Sequence, residues 1–392
     1  MEEWKEYKIS NICNIKHGFA FKGQYFTDTK QIHICTTPGN FALKGGFKLD
    51  KPKYYNGPIP IDYILRPDDL IVTMTDLSKE GDTLGYSALV PQNQNHIFLH
   101  NQRIGLVENI QDEIDKHFLY WIMRTYKYQK YIVNHSSGST VKHTSPNSIG
   151  TYTFKAPSLK KQKEIASFLD NIETKIGLNR KINDNLEQQA QALFKSWFVD
   201  FEPFRGGKFV ESELGIIPEG WRVGTLSDLL DIKYGKDHKI LNDGNIPVYG
   251  SGGIMRLTDG ILYNGESVLI PRKGTLNNVL YVNWPFWTVD TMFYSIEKVP
   301  NVAKYCHLLL SKLNLASMNS GSAVPSMTTD ILNKIQVIIA NKDVFNSFNE
   351  RISPFYLKTK NNLDENKRLS EIRDSLLPKL MSGKLKVNDL NC

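Results

Sequence analysis

Paired cysteines are missing from these 392 residues. Cys13, Cys35, Cys306 and Cys392 lie far apart, with no CxxC pair among them. No Cys/His cluster has zinc-site spacing, so the expectation is reduced thiols, no metal, and an intracellular setting. No apolar run approaches the roughly 20 residues needed to cross a bilayer. The opening MEEWKEYK is charged and lacks the apolar core of a secretory signal. These absences together predict a soluble, cytoplasmic protein.

Catalytic signatures are also lacking. Gly207-Lys208 and Gly383-Lys384 stand without the rest of a phosphate-binding loop, and YGSGGIM does not have dinucleotide-site spacing. There is no [DN]PP[YF] tetrapeptide of the kind that holds a target amine for methylation. Pro67-Asp68 is not followed at short range by the (D/E)xK of a nuclease. His96 and His100 are four apart without a nearby glutamate, in a stretch that reads as strand. We therefore expect no catalytic residues. A net charge of +7 is a modest excess, compatible with a polyanionic partner.

What the chain does have is a repeat. SSGSTVKHTSPNSI, from Ser136, returns as NSGSAVPSMTTDIL, from Asn319, with Gly138, Ser139 and Val141 matching Gly321, Ser322 and Val324. Earlier, EWKEYKISNICNIKHG matches GWRVGTLSDLLDIKYG, with Trp4 on Trp221 and Gly18 on Gly235. The offset falls from 217 to 183 residues between these blocks, so the second copy is shorter by 34 in its interior. Matched frames around drifting middles indicate two copies of one domain rather than a solenoid. In the middles, DDLIVTMTD and ESVLIPRKGT read as short buried strands, while DKHFLYWIMRTY and VAKYCHLLLSKL read as helices. Each copy is thus an α+β globule.

A long helix follows each globule. Ile165, Leu169, Ile172, Ile176, Asn179, Asn183, Leu186, Ala190, Leu193 and Trp197 alternate steps of four and three, which is a heptad seam. Shifted by 183, the seam recurs from Phe348 to Leu380, with asparagines again at Asn362 and Asn366. About 40 helical residues make a rod of roughly 60 Å. Such a rod cannot bury its own seam, so the two copies are expected to pair antiparallel about a pseudo-twofold. Asn179 would face Asn366 and Asn183 would face Asn362, fixing the register. Gly177 weakens the first rod, and Pro354 is expected to kink or divide the second.

Two divergent globules, each followed by a long helix, resemble the specificity subunit of type I restriction-modification enzymes, the HsdS family. The residues that carry the resemblance are LFKSWFVDFEPF (193–204), LLPKLMSGKLKV (376–387), the openings ISNICNIKHG and LSDLLDIKYG, and the SGST and SGSA loops. The resemblance covers nearly the whole chain. It implies an α+β chain of two target-recognition domains joined by antiparallel coiled-coil helices. The expected layout is 1–157 for the first domain, 158–199 for its helix, 200–220 for a linker, 221–340 for the second domain, 341–382 for its helix and 383–392 for a tail. The partners implied are double-stranded DNA with a bipartite target, two methyltransferase subunits using S-adenosylmethionine, and two ATP- and Mg-dependent motor-nuclease subunits. This chain would itself hold no cofactor. A rod of this size suits half-sites about one DNA turn apart, about 34 Å. Two other readings stay open: a scaffold with two protein-binding globules, and a stand-alone DNA-modifying enzyme.

For DNA contact, the small hydroxyl residues of the loops suit phosphates: Ser137, Ser139 and Thr140 in one copy, Ser320 and Ser322 in the other. Base-reading candidates lie in the drifting middles: Lys22, Gln102 and Arg103, then Arg272, Lys273 and Asn277. Lys16, Lys233 and Lys236 add positive charge near the shared openings. Phe194, Trp197, Phe198 and Phe201 spread aromatics beyond a narrow seam and are candidates for docking the methyltransferase.

Overall fold

The computed structural model describes residues 4–76, 78, 81–318 and 326–390. The chain divides into two units, Met1–Leu178 with Glu365–Cys392, and Asn179–Asp364. Both boundaries fall inside the long helices. Each contributes one stretch to each unit's core.

The first unit opens with Lys5–Lys8, paired antiparallel with Thr153–Ala156. A four-stranded antiparallel sheet follows, in the order Asn14–His17, Ile104–Glu108, Leu70–Thr73, Ser87–Leu89. Leu70–Thr73 is buried at all four positions, which is why it reads as an unbroken apolar run rather than an alternating one. A five-stranded sheet takes the rest, with Phe26–Thr27, Tyr54–Tyr55, His33–Thr36, Ile97–His100 and Ile64–Leu65 in that order. Its one parallel pair is His33–Thr36 with Ile97–His100. The helices Lys116–Ile122 and Tyr126–Asn134 start at Asp115 and Thr125, whose side chains accept from the Phe118 and Tyr128 N–H groups. The first carries Trp121, fully buried, whose truncation to alanine would cost about 3–5 kcal/mol.

The second unit repeats this plan. Arg222–Thr225 pairs with Gln336–Ile339. The four-stranded sheet runs Leu230–Tyr234, Met292–Glu297, Ser267–Pro271, Leu280–Val282. The side sheet has three strands, Gly253–Thr258, Ile246–Gly250 and Trp287–Thr288, and keeps one parallel pair, Ile246–Gly250 with Trp287–Thr288. The shortened interior thus falls on the side sheet, and the four-stranded sheet is conserved between copies. The stretch expected as a linker, 200–220, instead contains the hairpin Phe209–Ser212 with Gly215–Pro218. Its Ile217 is 2% exposed and joins the unit's core, so this segment is packed structure.

The long helices are Leu159–Phe198 and Lys342–Leu380. Every seam position named above is buried or half-buried, as the heptad spacing requires. In the first unit the stretches 159–178 and 365–380 run antiparallel, Lys175 pairing with Glu365 and Glu173 with Arg373. In the second, Trp197 packs on Phe348 while Asn183 meets Asn362, the same antiparallel sense. Asn362 Nδ2 donates to Asn183 Oδ1 at 2.7 Å, and Asn183 Nδ2 donates to Thr359 O at 3.4 Å. Asn179 and Asn362 are each 1% exposed, while Asn366, in the first unit, is half-buried.

Pro354 neither divides nor ends its helix, contrary to expectation. It sits on the exposed face, where water can take up the carbonyl it leaves unbonded, and buried Phe348 and Ile352 fix the backbone one turn before it. Among the described residues no helix is long and apolar enough to cross a membrane.

Candidate nucleic-acid interface

The first Ser-Gly-Ser loop is a tight turn closed by backbone. Ser137 and His143 exchange N–H to carbonyl hydrogen bonds of 2.9 and 2.8 Å. Between them Gly138 has φ +92°, and a Cβ there would lie 2.0 Å from Val141 O, so only glycine fits. Ser137, Ser139 and Thr140 are exposed on this turn. Its outgoing strand, Lys142–His143, pairs with Thr75–Asp76. Burial pushes the Asp76 carboxyl pKa up, but hydrogen bonds from Ser78 and Thr83 outweigh it and hold the group below the usual carboxylate range. Asp76 thus anchors the platform beneath the loop as an anion. Ser320 and Ser322 lie outside the described residues.

Four backbone hydrogen bonds near this loop recur at equivalent positions of the second unit. Met74 N donates to Arg103 O and Thr144 N to Met74 O in the first unit. Arg272 N donates to Thr291 O and Met327 N to Arg272 O in the second. Likewise Phe19 N bonds His100 O and Ile104 N bonds Asn101 O, matched by Lys236 N to Thr288 O and Met292 N to Val289 O. The shared glycines of KHG and KYG explain the close fit. A Cβ on Gly18 would lie 2.1 Å from Asn101 O, and one on Gly235 2.0 Å from Val289 O. The frame therefore holds a turn at 101–103 and an equivalent turn at 289–291, each tied through one residue, Met74 or Arg272, to Thr144 or Met327.

The candidates divide on inspection. Gln102 and Arg103 are exposed on the first turn and line a cleft of about 300 Å³ together with Phe21, Thr37, Lys53 and Asn101. Thr37 and Lys53 escaped sequence reasoning because the sheet brings them there from distant strands. Lys22 is exposed beside Phe21. Lys16 is already engaged: its ammonium donates to Asp62 O at 3.0 Å and lies over the Tyr63 ring. Lys233 pairs with Asp231 at 2.8 Å, which raises its pKa. Lys236 and Lys273 are exposed, and Lys273 bridges Ser326. Arg272 lies over the Tyr234 ring and donates to Asp290 O at 3.3 Å. Asn277 is not an available reader. Its Nδ2 donates to Asn314 Oδ1 and its Oδ1 accepts from Ala316 N, so both ends of the amide hold the 314–316 turn.

The aromatic cluster also needs correction. Phe194, Trp197 and Phe198 are 2%, 8% and 3% exposed, packed with Trp221, Tyr305, Phe345 and Phe348. Phe201 is half-buried against Trp221. The surplus apolar surface is covered by the second unit's own core and does not form an open docking face.

Polar groups, half-buried or buried apart from Lys44, fasten each globule to its helices. In the first unit Asp170 accepts from Trp121 Nε1 at 2.8 Å and bonds His117 Nδ1 at 2.7 Å. Glu173 lies between Arg124 and Arg373, while Lys44 reaches Asp374 at 2.8 Å. In the second, Lys304 sits on Glu266 at 2.8 Å and on Asn349 of the long helix at 2.9 Å. These ties join each globule to the long helices that run through its unit.

Comparison with known proteins agrees with this architecture. The family model described as type I restriction modification DNA specificity domain matches residues 1–188 and again 218–370. The type I restriction enzyme MjaIX specificity subunit of Methanocaldococcus jannaschii is 28% identical over 309 residues, 71% of each chain. The HindI specificity subunit of Haemophilus influenzae is 25% identical over 98% of this chain and 100% of its own. Among solved structures, the S subunit of a type I restriction-modification system from M. genitalium superposes with a TM-score of 0.55 at 18% identity, covering 97% of this chain and 96% of that one. Two matched domains in one chain, on the frame that the repeat encodes, place the protein: it belongs to the type I restriction-modification DNA specificity family.

Proposed function

We propose that this chain is the DNA-addressing subunit of a type I restriction-modification complex, each unit reading one part of a bipartite, asymmetric target. The observation that carries the reading is the duplicated frame. Four backbone hydrogen bonds and a glycine recur in both units, while the side chains on the framed turns differ. A shared scaffold with divergent surface chemistry suits recognition of two different short sequences. Exposed hydroxyls on a glycine turn suit phosphate contact, which positions without specifying. The long helices would set the gap between half-sites and dock two methyltransferase subunits. Those partners would supply S-adenosylmethionine and adenine methylation, and two motor-nuclease subunits would supply ATP- and Mg-dependent cleavage. The chain itself would be non-catalytic, acting in the cytoplasm of a prokaryote.

The test is co-expression with its methyltransferase subunit in cells without other adenine methylation, followed by methylation-sensitive sequencing. The pair is expected to modify adenine at one bipartite sequence, and the chain alone to modify none. Methylation by the chain alone would overturn the non-catalytic reading. A pair that modifies no bipartite sequence, or a chain that binds no DNA with or without partner, would overturn the addressing role.

A further inference from the structure

We infer that base readout centres on the framed turn of each unit, with Gln102 and Arg103 as specificity-determining residues in the first and Asp290 and Arg272 in the second. The inference rests on the DNA-addressing reading above and assigns residues to it. Its basis is the structural equivalence of the two turns. Asn101-Gln102-Arg103 and Val289-Asp290-Thr291 occupy the same place between a parallel-paired strand and the central strand of the four-stranded sheet. The same hydrogen bonds fix both backbones, so a difference between the half-sites read there must come from side chains.

Those side chains are chemically opposed. The first turn presents an amide and a guanidinium, and the second presents a carboxylate at the position equivalent to Gln102. The residue that ties the turn to Thr144 or Met327 differs as well: it is Met74, 2% exposed, in the first unit and Arg272 in the second. Each unit thus places one guanidinium at its turn, Arg103 from the turn itself in the first and Arg272, just past Ser267–Pro271, in the second. Gln102, Arg103 and Asp290 are exposed, and among the described residues none of their side chains is engaged by another group of the chain. Arg272 is preoriented by the Tyr234 ring and by Asp290 O, with the rest of its donor fork uncommitted.

The chemistry of base edges gives these residues meaning. Arginine matches guanine O6 and N7, glutamine matches adenine N6 and N7, and aspartate accepts from the cytosine amino group. The aspartate is the telling residue. Beside a phosphate backbone a carboxylate weakens binding, so its position on the framed turn is explained by a base donor rather than by general DNA affinity. Accordingly, Gln102 and Arg103 would select purines in one half-site, and Asp290 with Arg272 a C·G pair in the other.

Four alanine variants, of Gln102, Arg103, Asp290 and Arg272, test this in the intact chain co-expressed with its methyltransferase subunit. The adenine-methylation motif is read by sequencing, and binding is measured on duplexes carrying single-base changes in the wild-type motif. Gln102→Ala and Arg103→Ala are expected to relax positions in one half-site only, and Asp290→Ala and Arg272→Ala in the other half only. Preference at the affected position should fall roughly tenfold to a hundredfold, with the gap unchanged. Arg103→Lys and Asp290→Asn keep size and polarity, guard against misfolding, and should weaken preference at the same positions, since lysine lacks the planar fork and asparagine the charge of the original. Motifs unchanged in all variants, or Arg103 and Asp290 variants relaxing the same half-site, would overturn the assignment. A wild-type pair without any bipartite motif would instead refute the addressing role on which it rests.

Discussion

Glu173 ties the first unit's globule to both long-helix stretches, and its removal should be felt in that unit's stability. Its carboxylate accepts from Arg124 Nη1 at 3.3 Å and Arg373 Nη1 at 2.8 Å, and the two guanidiniums are only 2% and 11% exposed. Arg124 also lies 4.4 Å from the Trp121 ring centre and donates to Lys44 O, so it cannot swing out to water without disturbing the globule. Burial raises the Glu173 pKa, but the two arginines dominate and hold it below the usual range. With Lys44 and Asp374 the network carries three cations and two anions, and Glu173→Gln leaves three against one. Breaking a buried pair from one side costs about 3–5 kcal/mol; Glu173 is itself partly exposed, so about 3 kcal/mol is the expectation here. For a unit of about 200 residues that is a fall of roughly 6–12 °C in the thermal transition. Differential scanning calorimetry of Glu173→Gln beside Lys233→Ala, which opens an exposed pair, supplies the comparison. The control, a solvent-screened surface pair, should leave the transition close to that of the wild type. Equal, small shifts in both variants would refute the claim that this network fastens the globule to its helices.

Three further outcomes follow from the structure. Asn183→Leu and Asn362→Leu should each destabilise by about 1–2 kcal/mol, whereas the double variant should recover part of the loss. A urea double-mutant cycle should therefore give a coupling of about 1 kcal/mol, and strict additivity would mean that the pair is not coupled. His100 is buried and its pKa is pushed down to about 4 by burial, so protonation favours the unfolded chain. Its contribution is complete above pH 6.5 and is lost as pH falls towards 4, up to about 3 kcal/mol, and His100→Leu should flatten that part of the urea-midpoint profile. Gly177 lies inside a helix with nothing within 4 Å of the position its Cβ would take. Gly177→Ala should therefore raise the unfolding midpoint by about 1 kcal/mol, and a loss would show that the glycine serves a contact not visible in this conformation.

The repeat and the seam were legible because both are local. Heptad spacing depends only on which residues share a helix face, and all of its positions are indeed buried or half-buried. The Asn183–Asn362 contact followed from spacing plus an internal pseudo-twofold. The repeat paired Gly18 with Gly235, and the structure supplies the reason: at each, a Cβ would lie about 2 Å from a backbone carbonyl oxygen. Judging surface by composition was less reliable. Phe194, Trp197 and Phe198 looked like surplus at a rod end, and the partner that covers them, from Trp221 to Phe348, is far away in the chain. Asn277 looked like a reader until Asn314 and Ala316 claimed both ends of its amide.

The sequence alone thus determined that the chain is one domain written twice, with two antiparallel helices in register, because repetition and periodicity survive without coordinates. Tertiary structure decided where the units divide, that 200–220 is packed and not a linker, and that Pro354 is tolerated. It also showed that Met74 and Arg272 occupy the same node, and that the turn at Gln102 is the counterpart of the turn at Asp290. Those equivalences join residues from strands far apart in sequence whose identities share nothing. Only the hydrogen-bonded backbone, which is indifferent to side chains, reveals them.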